Sequence, residues 1–129
     1  MIHLKIEDRL LLCSIRMKHN GEILHLERVL VDTGSGGTII SSDKAASVNI
    51  VPEANDNIYR VRGVGGSEFV YTKIVDEIEL GFLKAEGFET EFGAMNYGFD
   101  LDGIIGLDFL LEVGAIIDLE AKQIYQKEK

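Results

Sequence analysis

The sequence predicts a mainly β, barrel-like fold with one or two short helices, and three observations carry that prediction. Apolar residues come in runs of strand length rather than as long helical stripes. Turn signals built on glycine separate those runs at short intervals. Only two stretches have helical spacing, and both are short.

The first hairpin lies in "LLLCSIRMKHNGEILHLERVLVD", Leu10 to Asp32, where Asn20-Gly21 supplies the two residues that accept positive φ in a tight turn. Alternation places Leu11, Cys13, Ile15 and Met17 on one face of its first arm, and Ile23 to Val31 pair back. A second hairpin is written in "IYRVRGVGGSEFVYTKIV", with Gly63, Gly65 and Gly66 between two arms rich in β-formers. "EIELGFLKAEGFETEFGAM" continues with strands, and "GAIIDLEAKQIY" reads as a last hairpin. Ser42 is placed to cap a short helix running to Ala46, ended by β-branched residues and Pro52. Leu107, Leu110 and Leu111 have the i, i+3, i+4 spacing of a second, with Asp108 near its start and Gly114 beyond its end.

Composition sets limits on function. A chain of 129 residues with 46 % apolar content is long enough for one domain with a real core, so residues 1–129 are expected to form one unit. Thirteen basic against twenty-two acidic residues leave a net charge of −9, with no basic cluster to track a phosphate backbone, and nucleic acid is not an expected partner. "MIHLKIEDRL" lacks a basic segment followed by an apolar one, and no apolar run approaches the ~18 residues that cross a bilayer. Cys13 is the only cysteine, which excludes an intrachain disulfide and makes the reducing cytoplasm the simplest compartment.

The stretch "VLVDTGSGGTII" poses the chemical question. Val29, Leu30 and Val31 form a strand that delivers Asp32 to the start of a glycine-rich loop. Gly34, Gly36 and Gly37 would let that loop fold tightly and bring backbone N–H groups to the carboxylate, holding it ionised and oriented. Thr33 and Ser35 add hydroxyls that can bond across the loop or back to the acid. Taken alone, Asp-Thr-Gly-Ser after a strand is also an ordinary turn. A phosphate-binding P-loop is excluded because no lysine follows the glycines, whereas the Asp-x-Gly-Ser/Thr-x-x-Thr pattern also resembles the first phosphate loop of the actin and sugar-kinase superfamily, whose large α/β lobes this chain is too short to build.

The second half of the chain raises the acid reading. "DGIIGLDFLLEVGAIIDL" again runs an apolar strand, Ile104-Ile105, into a glycine, Gly106, and then a helix. In this order, the acid loop, the glycine-tipped hairpin, the apolar pair with Gly106, the helix and the last strand resemble the retropepsin-like aspartic protease family. "IIGLDFL" followed by "IIDL" is most similar to its cellular branch, the protease domain of the DNA-damage-inducible proteins and their bacterial relatives. The resemblance implies a closed β-barrel of the acid-protease type acting as a symmetric homodimer on peptide or protein substrates, with no cofactor and no metal. It makes Asp32 the catalytic aspartate, Thr33 the residue whose hydroxyl bonds the partner loop, Gly34 the turn glycine that offers backbone to substrate, and Ser35 the small polar support of the aspartate. Val64, Gly65 and Gly66 would form a flap tip over the substrate, while Leu30, Ile104, Ile105 and Gly106 would pack under the loop and line the pocket, with Ile39 beside them. Two departures stand out: Gly36 and Gly37 occupy positions where retroviral members carry acids that grip the substrate backbone, and Leu107 replaces their arginine, as in the cellular branch.

Because the chemistry needs two carboxylates and the chain has one Asp-Thr-Gly, a single chain would hold half a site. Asp108 and Asp118 could be read as a second acid, which would make a monomeric enzyme, but the resemblance implies structural positions for them, one at a helix start and one in the last strand. Cys13 on an apolar face suits the core better than nucleophilic catalysis. Acids in "DEIELGFLKAEGFETEFG" lack the compact spacing of a metal loop, and Arg60 and Arg62 flank the second hairpin as solvated or substrate-facing residues. The reading from a different class is a catalytically silent, dimeric peptide-binding or interaction module of the same fold.

Overall fold

The computed structural model describes residues 2–63, 66–95 and 100–127. Eleven strands and two short helices are described: β1 Ile2–His3, β2 Lys5–Glu7, β3 Leu10–His19, β4 Glu22–Val31, β5 Ile39–Ser41, α1 Ser42–Ala46, β6 Asn57–Gly63, β7 Gly66–Leu80, β8 Leu83–Gly93, β9 Gly103–Ile105, α2 Leu107–Glu112, β10 Ala115–Asp118 and β11 Gln123–Gln126. Six of the strands close a barrel in the order β3-β4-β9-β5-β8-β7, and the ring is completed by β7 pairing back onto β3. The mainly β barrel with two short helices is the architecture that the sequence predicts.

Closure depends on a short two-sided seam. Met17 faces Ile78 across the β3–β7 junction, and both are fully buried. On either side of that pair, Arg16 opposes Glu79 and Lys18 opposes Glu77, with Lys18 Nζ 3.1 Å from carboxylates of both acids. Apolar residues fill the inside of the seam while opposite charges pair across its outside. The acidic stretch around Glu77 and Glu79 is therefore a strand face matched to Lys18, Arg16 and Lys84.

The β3–β4 hairpin turns at Asn20 (φ 50°) and Gly21 (φ 80°), as Asn-Gly predicts. Further along, its ladder steps: Cys13 pairs with Val29 but Ile15 pairs with Leu26, so Glu27 and Arg28 oppose Ser14 alone. This bulge changes the parity of β4. Leu24 and Leu26 point into the core before it, and Val29 and Val31 point inward after it. Unbroken alternation from Leu24 would instead turn Arg28, Leu30 and Asp32 inward. Asp102, in the segment before β9, holds the step in place: its Oδ2 accepts from the Glu27 N–H at 3.1 Å and the Arg28 N–H at 3.2 Å.

The core gathers Leu26, Val29, Ile40, Val75, Ile78, Phe92 and Ile105, all fully buried. Phe92 stacks on Tyr71 with ring centroids 5.0 Å apart, and Phe109 of α2 meets Phe88 edge-on at 5.9 Å, so α2 seals one end of the barrel. A separate sheet, β1-β11-β10, carries the last hairpin, where Asp118 Oδ1 accepts from the Ala121 N–H at 2.9 Å.

Several local expectations are corrected. The cap of α1 is Ser41, whose hydroxyl accepts from the Lys44 N–H at 3.2 Å, so Ser42 is the first helical residue and not the cap. The buried side of α2 is Phe109 and Leu110, whereas Leu107 and Leu111 are exposed in this chain. The helix is too short for a full apolar stripe, and its face is set by the fit of Phe109 into the barrel end. An additional hairpin joins β2 to β3 through Asp8 (φ 52°) and Arg9 (φ 64°), a tight turn with no glycine to announce it.

Candidate active site

β4 and β9 run parallel, and their ends deliver two loops to one place. Leu30 pairs with Ile104 and Val31 with Ile105, and the ladder continues one residue further, with the Asp32 N–H donating to Ile105 O at 2.9 Å. The Leu107 N–H donates to Ser35 O at 2.7 Å. Between these two bonds lies Gly106, where a Cβ would stand 2.3 Å from Gly37 O and 2.8 Å from Ser35 O. Only a residue without a side chain lets the end of β9 come this close to the acid loop.

Within the loop the carboxylate is oriented by backbone. The Gly34 N–H donates to Asp32 Oδ1 at 2.9 Å, and the Ser35 N–H donates to Asp32 O at 3.2 Å. Asp32 is half-buried, while Thr33 and Gly34 are exposed beside it. The Ser35 hydroxyl donates to Gly37 O at 2.8 Å, so it braces the loop rather than bonding the acid. None of Gly34, Gly36 and Gly37 adopts the left-handed backbone, and their value is space. A Cβ at residue 34 would lie 3.1 Å from Asp32 Oδ1, and one at residue 37 would lie 3.3 Å from the carboxylate of Glu91.

Thr38, which the sequence marked only as the last residue of the Asp-x-Gly-Ser/Thr-x-x-Thr pattern, is the hub of the loop. It is 1 % exposed and uses every polar atom it has. Its hydroxyl donates to Asp108 Oδ1 at 2.8 Å and accepts from the Gly106 N–H at 3.1 Å, its own N–H donates to Asp108 Oδ2 at 3.3 Å, and its carbonyl accepts from the Glu91 N–H at 3.0 Å. Asp108 Oδ1 also takes the Phe109 N–H at 2.8 Å. One threonine thus ties the acid loop to α2, to the junction between β9 and α2, and to β8. The Thr in the 38th position and the Asp after Gly106-Leu107 were visible as types, but nothing local in the sequence brings them together.

The apolar residues divide between two faces. Register places Leu30, Ile104 and Ile39 side by side on one face of β4, β9 and β5, with Leu30 and Ile104 half-buried at its open side. Ile105 points the other way and is fully buried in the core, so it supports the loop from beneath and does not line that open face. In the second hairpin, Gly66 opens β7 opposite Gly63, and Val64 and Gly65 lie outside the described residues. Arg60 packs its guanidinium over Phe69, 5.1 Å from the ring centre. Burial pushes the Cys13 thiol up to about 12, which suits a core residue and not a nucleophile.

Among the described residues, no helix is long and apolar enough to cross a membrane. A search of curated proteins finds no match. A protein-family model described as aspartyl protease matches residues 15–109, a span that takes in the acid loop, the glycine-tipped hairpin, β9 and the start of α2. With that match over most of its length and with its closed β-barrel, the chain belongs to the retropepsin-like aspartic protease family.

Proposed function

We propose that this chain is an aspartic endopeptidase that works as a symmetric homodimer, with residues 1–129 forming one protease domain. The observation that carries the reading is the acid loop itself. Its inner side is bonded to β9 through the Asp32 N–H and to α2 through Ser35 and Thr38, while the half-buried Asp32 carboxylate and the exposed Thr33 and Gly34 stand at its outer side. A second copy related by a two-fold axis would bring a second Asp32 to the first and give the Thr33 hydroxyl the partner backbone to bond. Two like carboxylates at short range share one proton, as is general for aspartic dyads. The ionised Asp32 then takes a proton from a water, which attacks the scissile carbonyl. The protonated partner polarises that carbonyl and afterwards helps protonate the leaving amine.

Gly34 offers its backbone beside the carboxylate, Ser35 and Gly106 hold the loop, and Leu30, Ile39 and Ile104 form the apolar floor, with Ile105 below. Val64, Gly65 and Gly66 close over an extended peptide. The lone, buried Cys13 thiol suits work in the reducing cytoplasm.

The test pairs sedimentation with cleavage of a mixed peptide library by wild type and Asp32→Asn. Expected are a species of about twice the chain mass and loss of at least about 99 % of cleavage in the variant. Full cleavage by Asp32→Asn, or cleavage by a strict monomer, overturns the proposal. A dimer that binds peptides and leaves them intact identifies a silent module.

A further inference from the structure

The two glycines after the Asp-Thr-Gly-Ser motif leave the rim of the cleft without an acid of its own, and the structure fills that space from a different strand. Ile39 of β5 pairs with Glu91 of β8 and with Ile104 of β9, and Ile104 pairs with Leu30 of β4. Paired residues share a face. Glu91 therefore sits in the same row as Leu30, Ile104 and Ile39, at the end nearer the second hairpin. Its carboxylate lies over Gly37, with Oε1 3.3 Å and Cδ 3.4 Å from the point where a Cβ would be. A side chain at residue 37 would displace it.

The position is built rather than accidental. The Glu91 backbone N–H is bound by Thr38 O, so the hub that holds the acid loop also fixes the residue carrying this carboxylate. The Tyr59 hydroxyl of β6 donates to Glu91 Oε1, reaching across from the base of the second hairpin. Burial, followed by the bond and charge of Glu91 and the charge of Glu89, pushes the Tyr59 phenol well above its ordinary range, so it stays a neutral donor. Among the described residues, two cations of the flanking strands are engaged elsewhere. Lys73 of the neighbouring β7 is 5 % exposed and paired with Glu53 at 2.6 Å and Asp56 at 2.8 Å, and Arg60 covers Phe69.

We infer that Glu91, oriented by Tyr59 over the side-chain-free Gly37, forms an acidic subsite in the cleft that selects a basic side chain, lysine or arginine, on a peptide lying along the acid loop. The inference rests on the protease reading of the cleft, since that reading lays the peptide against Leu30, Ile39 and Ile104. An apolar floor with one partly buried carboxylate at its end suits a lysine or arginine, whose methylene stem covers the floor while its head meets the charge.

The experiment profiles a proteome-derived peptide library cleaved by wild type, Glu91→Gln and Glu91→Lys, reading the residues that flank each cut by mass spectrometry. Expected is enrichment of Lys and Arg at one position near the cut in wild type. In Glu91→Gln that enrichment falls about tenfold, and in Glu91→Lys it gives way to Asp and Glu. Where wild type cuts the library, the proposal is overturned if its cuts show no basic enrichment, whether or not the variants fold, or if a folded Glu91→Gln keeps it. A binding arm separates this outcome from failure of the protease reading. Asp32→Asn, alone and combined with Glu91→Gln, is titrated with matched peptides carrying lysine or norleucine. A lysine preference that disappears with Glu91→Gln sustains the subsite even when wild type cuts nothing. Equal binding of the two peptides overturns it.

Discussion

Thr38→Val is the sharpest probe of how the acid loop is held. Valine matches threonine in shape, so the substitution opens no cavity and removes only the hydroxyl, at a site 1 % exposed. Two costs follow. The 2.8 Å bond to the Asp108 carboxylate is lost, which for a charged acceptor is worth about 1.5–3 kcal/mol. The Gly106 N–H loses its acceptor at 3.1 Å and is left buried and unpaired, at about 1–3 kcal/mol. Together the expected loss is about 2.5–6 kcal/mol. For 129 residues the unfolding entropy is about 0.27 kcal/mol/K, so each kcal/mol lowers Tm by about 4 °C and the variant should melt about 10–24 °C below wild type. Differential scanning calorimetry measures this directly. A double-mutant cycle with Asp108→Ala should return a coupling of about 1–2 kcal/mol. A drop under about 3 °C, or additive single variants, refutes the claim that this bond locks the loop to α2.

Gly106→Ala should cost about 3 kcal/mol or prevent folding, because its Cβ meets Gly37 O at 2.3 Å, whereas Gly36→Ala, with nothing within 4 Å, should stay within about 0.5 kcal/mol in urea titrations. Lys73→Met should cost about 3 kcal/mol by leaving Asp56, itself 8 % exposed, without its partner. Burial raises the Asp56 pKa, but the Lys73 bond, the Glu53 N–H and the Lys73 charge outweigh it and hold the carboxyl below its ordinary value. Its contribution is therefore present above about pH 4 and lost as pH falls through the lower folded value, and Lys73→Met should remove that part of the acid slope of urea stability. With its thiol raised from 9.0 to about 12, Cys13 should react with a disulfide reagent at pH 8 only as the protein unfolds, and rapid labelling of the native state would contradict its burial.

What was legible in the sequence was local. Asn20-Gly21, the glycine-tipped hairpin and the short spacing of α2 announced themselves through turn chemistry and periodicity, and Asp32 through a strand that ends in glycines. The mainly β, barrel-like class followed from the number and length of the strands, and the closure of the barrel was implied by the resemblance to the retropepsin-like family. Features that depend on contacts between distant segments were not legible. Thr38 and Asp108 are seventy residues apart, and Asp102 reaches Glu27 across seventy-five. The Asp8-Arg9 turn was hidden because two ordinary residues adopt a backbone that glycine usually signals. Glu91 looked like one more acid on an alternating strand until register set it beside Ile39.

The two-against-one step at Ser14 also divides the first hairpin into a part that tolerates changes in length and a part that does not. Lengthening both arms equally beside Asn20-Gly21 leaves the phase of residues 29–32 untouched, because phase is reset downstream of the turn. One residue added or removed between Glu27 and Asp32 has no such buffer. It would send Leu30 and the acid toward the core and Val29 and Val31 toward water, with every strand still in place. In this chain the acid's direction is set by a residue count five positions long, and only the tip of the hairpin, beyond the seam at Arg16 to Lys18, is a handle whose length is open to design.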